Sequence, residues 1–163
     1  MKKLYFWLLP VLLLTSGLIS CNNDETCRKS KTVLMGAKFY QDTLNLKTNQ
    51  YVTINFKADS LTASGVNNDS IIYKKVTNLS EIKLPVDKLK TQSRFSIKFN
   101  EVYDTITVLY HNTDEYLSLE CGCVRTHTID TVLTTNHIIE KIKIIQPIIN
   151  TTYVENIKIY LAE

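Results

Sequence analysis

The sequence predicts an all-β domain, an antiparallel β-sandwich of roughly nine to eleven strands. Three observations carry this. Ile, Val, Thr and Tyr recur in almost every segment, whereas alanine occurs only at Ala37, Ala58, Ala63 and Ala162; residues of the first kind fit a pleated, half-buried surface, and a helical domain draws on Ala, Leu and Glu. Apolar side chains alternate with polar ones over short runs, which puts one face of each run toward a core. Turn residues interrupt these runs about every 8–12 residues with no helical period between them, the spacing of a sandwich or barrel. Short connections favour antiparallel neighbours. A closed calycin- or lipocalin-like barrel is the alternative. Nothing repeats at a fixed period, which sets aside a solenoid or propeller.

Residues 1–20 are expected to be a leader rather than part of this domain. Lys2 and Lys3 precede an uncharged, mostly apolar run from Leu4 to Ile19, and small Ser20 stands before Cys21. A membrane-spanning helix needs about 20 apolar residues, and Pro10 and Gly17 interrupt this shorter run. An A-x-A-like secretory cleavage site is missing. Leu18-Ile19-Ser20-Cys21 instead resembles a bacterial lipobox, which implies cleavage before Cys21, acylation of that cysteine and a bacterial outer-membrane location, facing the periplasm or the surface. Several acyl chains at ~0.8 kcal/mol per buried CH₂ hold a protein stably on a bilayer.

Removing residues 1–20 from the 163 leaves 143 residues, with 17 basic and 16 acidic side chains and a net charge of +1. A chain of that length forms one domain and buries about 70% of its unfolded surface. Lys and Arg are nowhere concentrated enough to suggest a nucleic-acid partner. Residues 21–31 read as a flexible tether; Asn22-Asn23-Asp24-Glu25 resembles the acidic stretch after the lipidated cysteine of surface-exported Bacteroidota lipoproteins. Residues 32–163 form the β domain.

Thr32 to Tyr40 is the first expected strand, closed by a turn at Gln41-Asp42-Thr43. From Gln50 to Lys57, Val52, Ile54 and Phe56 share one face. Leu61 to Val66 and Ser70 to Val76 flank a turn at Asn67-Asn68-Asp69. Glu81 to Val86 points Ile82, Leu84 and Val86 inward, and Pro85 marks it as an edge strand. Arg94 to Phe99 aligns Phe95, Ile97 and Phe99; Tyr103 to Tyr110 aligns Ile106, Val108 and Tyr110. Tyr116 to Glu120, Cys123 to Ile129, His137 to Ile145 and Thr152 to Leu161 complete the set, the last with Ile157, Ile159 and Leu161 in register.

Cys27, Cys121 and Cys123 are the disulfide candidates, since an exported protein can form such bonds. Cys121 and Cys123 sit ~6.6 Å apart on an extended strand with parallel side chains, poor geometry for bonding each other. Cys27 with either one is better, and closing a loop of roughly 100 residues is worth up to about 4.7 kcal/mol in the chain-entropy model. The remaining thiol is then a small buried hydrophobe; a metal site built from Cys121, Cys123 and His127 is the sharper alternative, with a spacing unlike zinc sites.

No catalytic residues are assigned and no metal or cofactor is expected. His111, His127 and His137 lie in no metal-binding pattern, and no nucleophile elbow, P-loop or dinucleotide fingerprint occurs. Asp followed by Ser or Thr and an aliphatic residue recurs at 42–44, 59–61, 69–71, 104–106 and 130–132. This resembles the O-glycosylation acceptor pattern of exported Bacteroidota proteins, with Thr43, Ser60, Ser70, Thr105 and Thr131 as acceptors; a turn entering a strand gives the same pattern. Eight tyrosines in the mature chain suggest either a recognition surface or core residues with their hydroxyls in water.

The lipobox, the early Cys27, Asp69-Ser70-Ile71-Ile72-Tyr73, Asp104-Thr105-Ile106 and Glu120-Cys121-Gly122-Cys123 together resemble an uncharacterised family of Bacteroidota lipoproteins with a domain of unknown function. Asn136-His137-Ile138-Ile139 and Asn156-Ile157-Lys158-Ile159 belong to the likeness. The resemblance implies an anchored β protein and no activity. The expected function is a lipid-anchored binding or accessory module with a protein or glycan partner. A small-molecule carrier is the alternative, ahead of an enzyme.

Overall fold

The computed structural model describes residues 31–67, 70–119 and 121–162. In them run the strands β1 (Leu34–Asn45), β2 (Gln50–Asn55), β3 (Leu61–Gly65), β4 (Ile71–Val76), β5 (Glu81–Pro85), β6 (Gln92–Phe99), β7 (Val102–Ser118), β8 (Gly122–Thr134), β9 (Ile139–Ile144), β10 (Ile148–Ile149) and β11 (Glu155–Leu161). They form two sheets. The first has the order β2-β1-β11-β9 with β5 also against β1; the second has the order β10-β8-β7-β6-β3-β4. The predicted sandwich is what forms.

The inward alternation predicted for the central strands supplies the core. Ile82 and Leu84 of β5, Ile97 of β6, Ile106 and Val108 of β7, and Ile157 and Ile159 of β11 are fully buried. Phe39 of β1 meets Phe99 of β6 edge to face, ring centroids 5.1 Å apart, and so fastens one sheet to the other. The edge assignment of the Pro85 strand holds, because β5 pairs with β1 alone.

One pairing departs from the antiparallel expectation. β1 and β11 are parallel, with Ala37 opposite Ile157 and Phe39 opposite Ile159. The pair begins at a bulge between Gly36 and Ala37, where the buried Asn156 side chain replaces a backbone partner: its Oδ1 accepts from Gly36 N at 2.9 Å. Its Nδ2 donates to the Gln146 and Ile148 carbonyls at 2.8 and 2.9 Å. A Cβ on Gly36 would run into the Val154 carbonyl oxygen, so the close approach of the two strands requires glycine there.

Other boundaries shift for identifiable reasons. Gln41-Asp42-Thr43 is strand, not turn: all three residues pair with β2, and the Asp42 carboxylate is held by Thr53 Oγ1 at 2.5 Å and Lys141 Nζ at 2.6 Å. The turn falls after Asn45, with Asn49 in the left-handed region at φ 52°. Val52 and Ile54, on the shared face the alternation gives, are both nearly half exposed, and every residue of β2, which pairs only with the outer part of β1, is exposed. The expected strands at Tyr116–Glu120 and Cys123–Ile129 are the outer ends of one long hairpin, β7–β8. Two register shifts in that hairpin, at Leu109/Tyr110 and Tyr116/Ser118, let it continue.

Candidate functional site at the pole where the described chain begins

Parallel β1 and β11 both start at one end of the sandwich, and the tip of the β7–β8 hairpin and the β5–β6 loop gather at that end. The Lys31 ammonium donates to the Cys121 carbonyl at 2.6 Å, tying the beginning of the described chain to the hairpin tip. Cys121 is buried in the turn, and its N–H donates to Ser118 Oγ at 3.0 Å. Gly122 takes φ 68° there, which glycine adopts without strain.

No disulfide joins two described residues. Cys121 is nonetheless a disulfide-bonded cysteine whose partner lies outside them, and Cys123 is a free, exposed thiol. Cys21 and Cys27 also lie outside the described residues. The expectation that a leftover thiol is buried therefore fails at Cys123, which pairs with exposed Tyr116 near the hairpin tip and is itself exposed.

The β5–β6 loop is fixed by three side chains of the hairpin. Tyr110 Oη donates to the Asp87 carbonyl at 2.8 Å. Ser93 Oγ, 2.8 Å from Tyr110 Oη, accepts from Asp87 N at 2.9 Å, closing a small ring of hydrogen bonds. Burial raises the Tyr110 pKa. Asn112 Nδ2 donates to the Lys90 carbonyl at 2.8 Å, and Arg125 Nη1 to the Lys88 carbonyl at 3.1 Å. The same guanidinium grips Asp114 with two bonds of 2.7 Å, which holds the Asp114 carboxyl below its ordinary value. Within the loop, Asp87 accepts from Leu89 N at 2.9 Å. A fixed loop thus presents a leucine that is 87% exposed.

Asn112 also orients His127. Because its amide nitrogen donates to the loop, its Oδ1 is the acceptor 2.6 Å from His127 Nδ1, which must carry the proton. His127 is buried, its Nε2 has no partner, and its ring meets Tyr110 edge to face at 5.1 Å. Burial, then Lys88 and Arg125, lowers its pKa, which favours the neutral ring. The arrangement separates His127 from exposed Cys123, against the shared face a metal site would need.

Loop and hairpin enclose an open cleft of about 340 Å³ lined by Lys31, Lys88, Leu89, Asp114, Cys123, Val124 and Arg125. Its chemistry is cationic with an apolar rim: Asp114 is engaged by Arg125, and Lys31 and Lys88 form no ion pair among the described residues. Such a cleft can accept an anionic group. Sequence reasoning missed it, although one leucine between lysines in Asp87-Lys88-Leu89-Lys90 was the available signal.

The other histidines sit elsewhere. His111 Nδ1 is 2.9 Å from Asp130. His137 Nδ1 is 3.1 Å from Asp104, a carboxylate that also accepts from Thr135 Oγ1, His137 N, Ile138 N and Ile139 N at 2.6–2.9 Å. Burial acts to raise the Asp104 pKa, but the donors outweigh it and hold the carboxyl down at about 2. Among the described residues no three His, Cys, Asp or Glu side chains are placed to share a metal ion.

The five glycosylation candidates diverge in exposure. Ser70 and Thr131 are exposed, Ser60 and Thr105 are half-buried, and Thr43 has a buried hydroxyl without a hydrogen-bond partner. The tyrosines divide similarly: Tyr110 and Tyr160 are buried, while Tyr51, Tyr103 and Tyr116 are more than half exposed.

No curated protein and no solved structure is significantly similar to the chain. A family model matches residues 60–161, from the start of β3 to the end of β11, and leaves β1 and β2 outside the match. The chain belongs to the family of unknown function DUF6452.

Proposed function

We propose that the protein is a bacterial envelope lipoprotein of Bacteroidota type, held on the outer membrane by acylated Cys21, whose β-sandwich serves as a binding or accessory module. The observation that carries this reading is Leu18-Ile19-Ser20-Cys21, placed directly after a dibasic start and an apolar run. The disulfide-bonded state of Cys121 fits an oxidising compartment beyond the cytoplasm. Cys27 is its partner in this reading, and the bond leaves a free tether of six residues. Exposed Thr131 and Ser70 are the accessible glycan acceptors of the five.

Intact mass of the protein purified from membranes tests the proposal. Loss of residues 1–20 with a gain matching acyl chains on Cys21 is expected, and Cys21→Ser should release the protein from the membrane fraction. A mature chain beginning elsewhere, or an unacylated Cys21, would overturn it. The same spectrum shows whether hexose is attached.

A further inference from the structure

Three apolar side chains stand exposed at the pole just described, each on an anchored element. Leu119, 94% exposed, is at the β7–β8 tip, and Tyr116, 61% exposed, is opposite Cys123 close by. Leu89, 87% exposed, stands on the loop fastened by Tyr110, Asn112 and Arg125. Lys31 and Lys88 line the cleft between these elements. Apolar and aromatic tips flanked by lysines suit the interface of a bilayer, where rings and leucines enter the headgroup region and ammonium groups meet phosphates.

We propose that this pole is a second membrane contact: Leu119, Tyr116 and Leu89 enter the interface of the leaflet that carries the anchor, and Lys31 and Lys88 bind its anionic headgroups. The inference rests on the lipoprotein reading. The position of Lys31 favours a bilayer over other occupants. Lys31 is at this pole and only ten residues after Cys21, a reach of about 35 Å when fully extended. With Cys27 bonded to Cys121, six residues remain free, and the anchor lies within about 20 Å of the tip. The one carboxylate lining the cleft, Asp114, is already engaged by Arg125, and the Lys31 and Lys88 ammonium groups outnumber the exposed Glu115 carboxylate beside Tyr116.

The sole tryptophan, Trp7, is in the leader, so a single introduced tryptophan reports alone in the mature protein. Acylated Leu119→Trp and Tyr51→Trp proteins are reconstituted into phosphatidylethanolamine–phosphatidylglycerol vesicles, with Tyr51 at the opposite pole as the control. Brominated acyl chains should quench the Leu119→Trp emission at least twofold and leave Tyr51→Trp unchanged. Adding Lys31→Glu and Lys88→Glu should halve that quenching. If the protein floats with the vesicles yet both tryptophans stay equally open to aqueous iodide, the contact is refuted while the anchor stands. If it does not float, the anchor reading fails and the contact falls with it. A blue shift of Leu119→Trp without vesicles, with dimer formation, would assign the pole to a second copy and equally refute the proposal.

Discussion

Asp104 Oδ2 lies 2.8 Å from the backbone nitrogen of Ile139, so a carboxylate on β7 of one sheet fixes the first residue of β9 in the other. The Asp104 side chain is fully buried, and water cannot replace it. Asp104→Asn keeps the shape but loses the charge and puts a donor among donors. We expect a stability loss of about 2–4 kcal/mol, read as a lowered urea midpoint with an unchanged slope.

Acid should remove the same contribution in the wild type. The folded carboxyl titrates at about 2, below its ordinary 3.8, so the unfolded chain binds more protons between those values. Its stabilisation is complete above the unfolded pKa and is lost as pH falls through the folded one. The gap between wild type and Asp104→Asn should narrow by about 2 kcal/mol from pH 5 to pH 2. A constant gap over that range would contradict the assignment.

Gly36→Ala should destabilise by about 3 kcal/mol or more, since the new methyl meets the Val154 backbone rather than a movable side chain. Asn156→Ala should act at the same bulge by leaving Gly36 N and two carbonyls unpaired. Thermal unfolding of both variants checks this, and near-wild-type melting of Gly36→Ala would show that β1 and β11 can separate.

Phe39→Ala removes one side of the only ring contact described between β1 and β6. A loss of about 3–5 kcal/mol is expected by denaturant titration. Tyr51→Ala, on uncovered β2, should change stability by less than about 0.5 kcal/mol.

The two cysteines of the hairpin should behave oppositely. Cys121→Ser should cost about 2–4 kcal/mol under non-reducing conditions, whereas Cys123→Ser should be close to neutral. Alkylation of the unreduced wild type should label Cys123 and spare Cys121.

Alternation made the core legible: the inward sets Phe95-Ile97-Phe99 and Ile157-Ile159-Leu161 were readable because both lie on covered strands. The same rule put Val52 and Ile54 on one face, which is exposed, because local pattern reports a face that could be buried and says nothing of whether another layer reaches it. The parallel pairing of β1 with β11 depends on the far ends of the domain meeting, which spacing between neighbours cannot show. Of the candidate site, Cys121 and Cys123 were visible as residue types. Lys31, Lys88 and Leu89 were not, since only the fold brings the β5–β6 loop beside the hairpin.

The place of β11 bears on how the protein is made. It comes last in chain order among these strands, yet it lies between β1 and β9 inside a sheet. During synthesis the emerging chain therefore holds β1 with one side unpaired until β11 arrives. Closure waits for a partner more than a hundred residues downstream, a high-contact-order step that is intrinsically slow. Until then β1 presents unpaired backbone N–H and C=O groups along that edge, and protection against wrong pairing would be needed most in that interval.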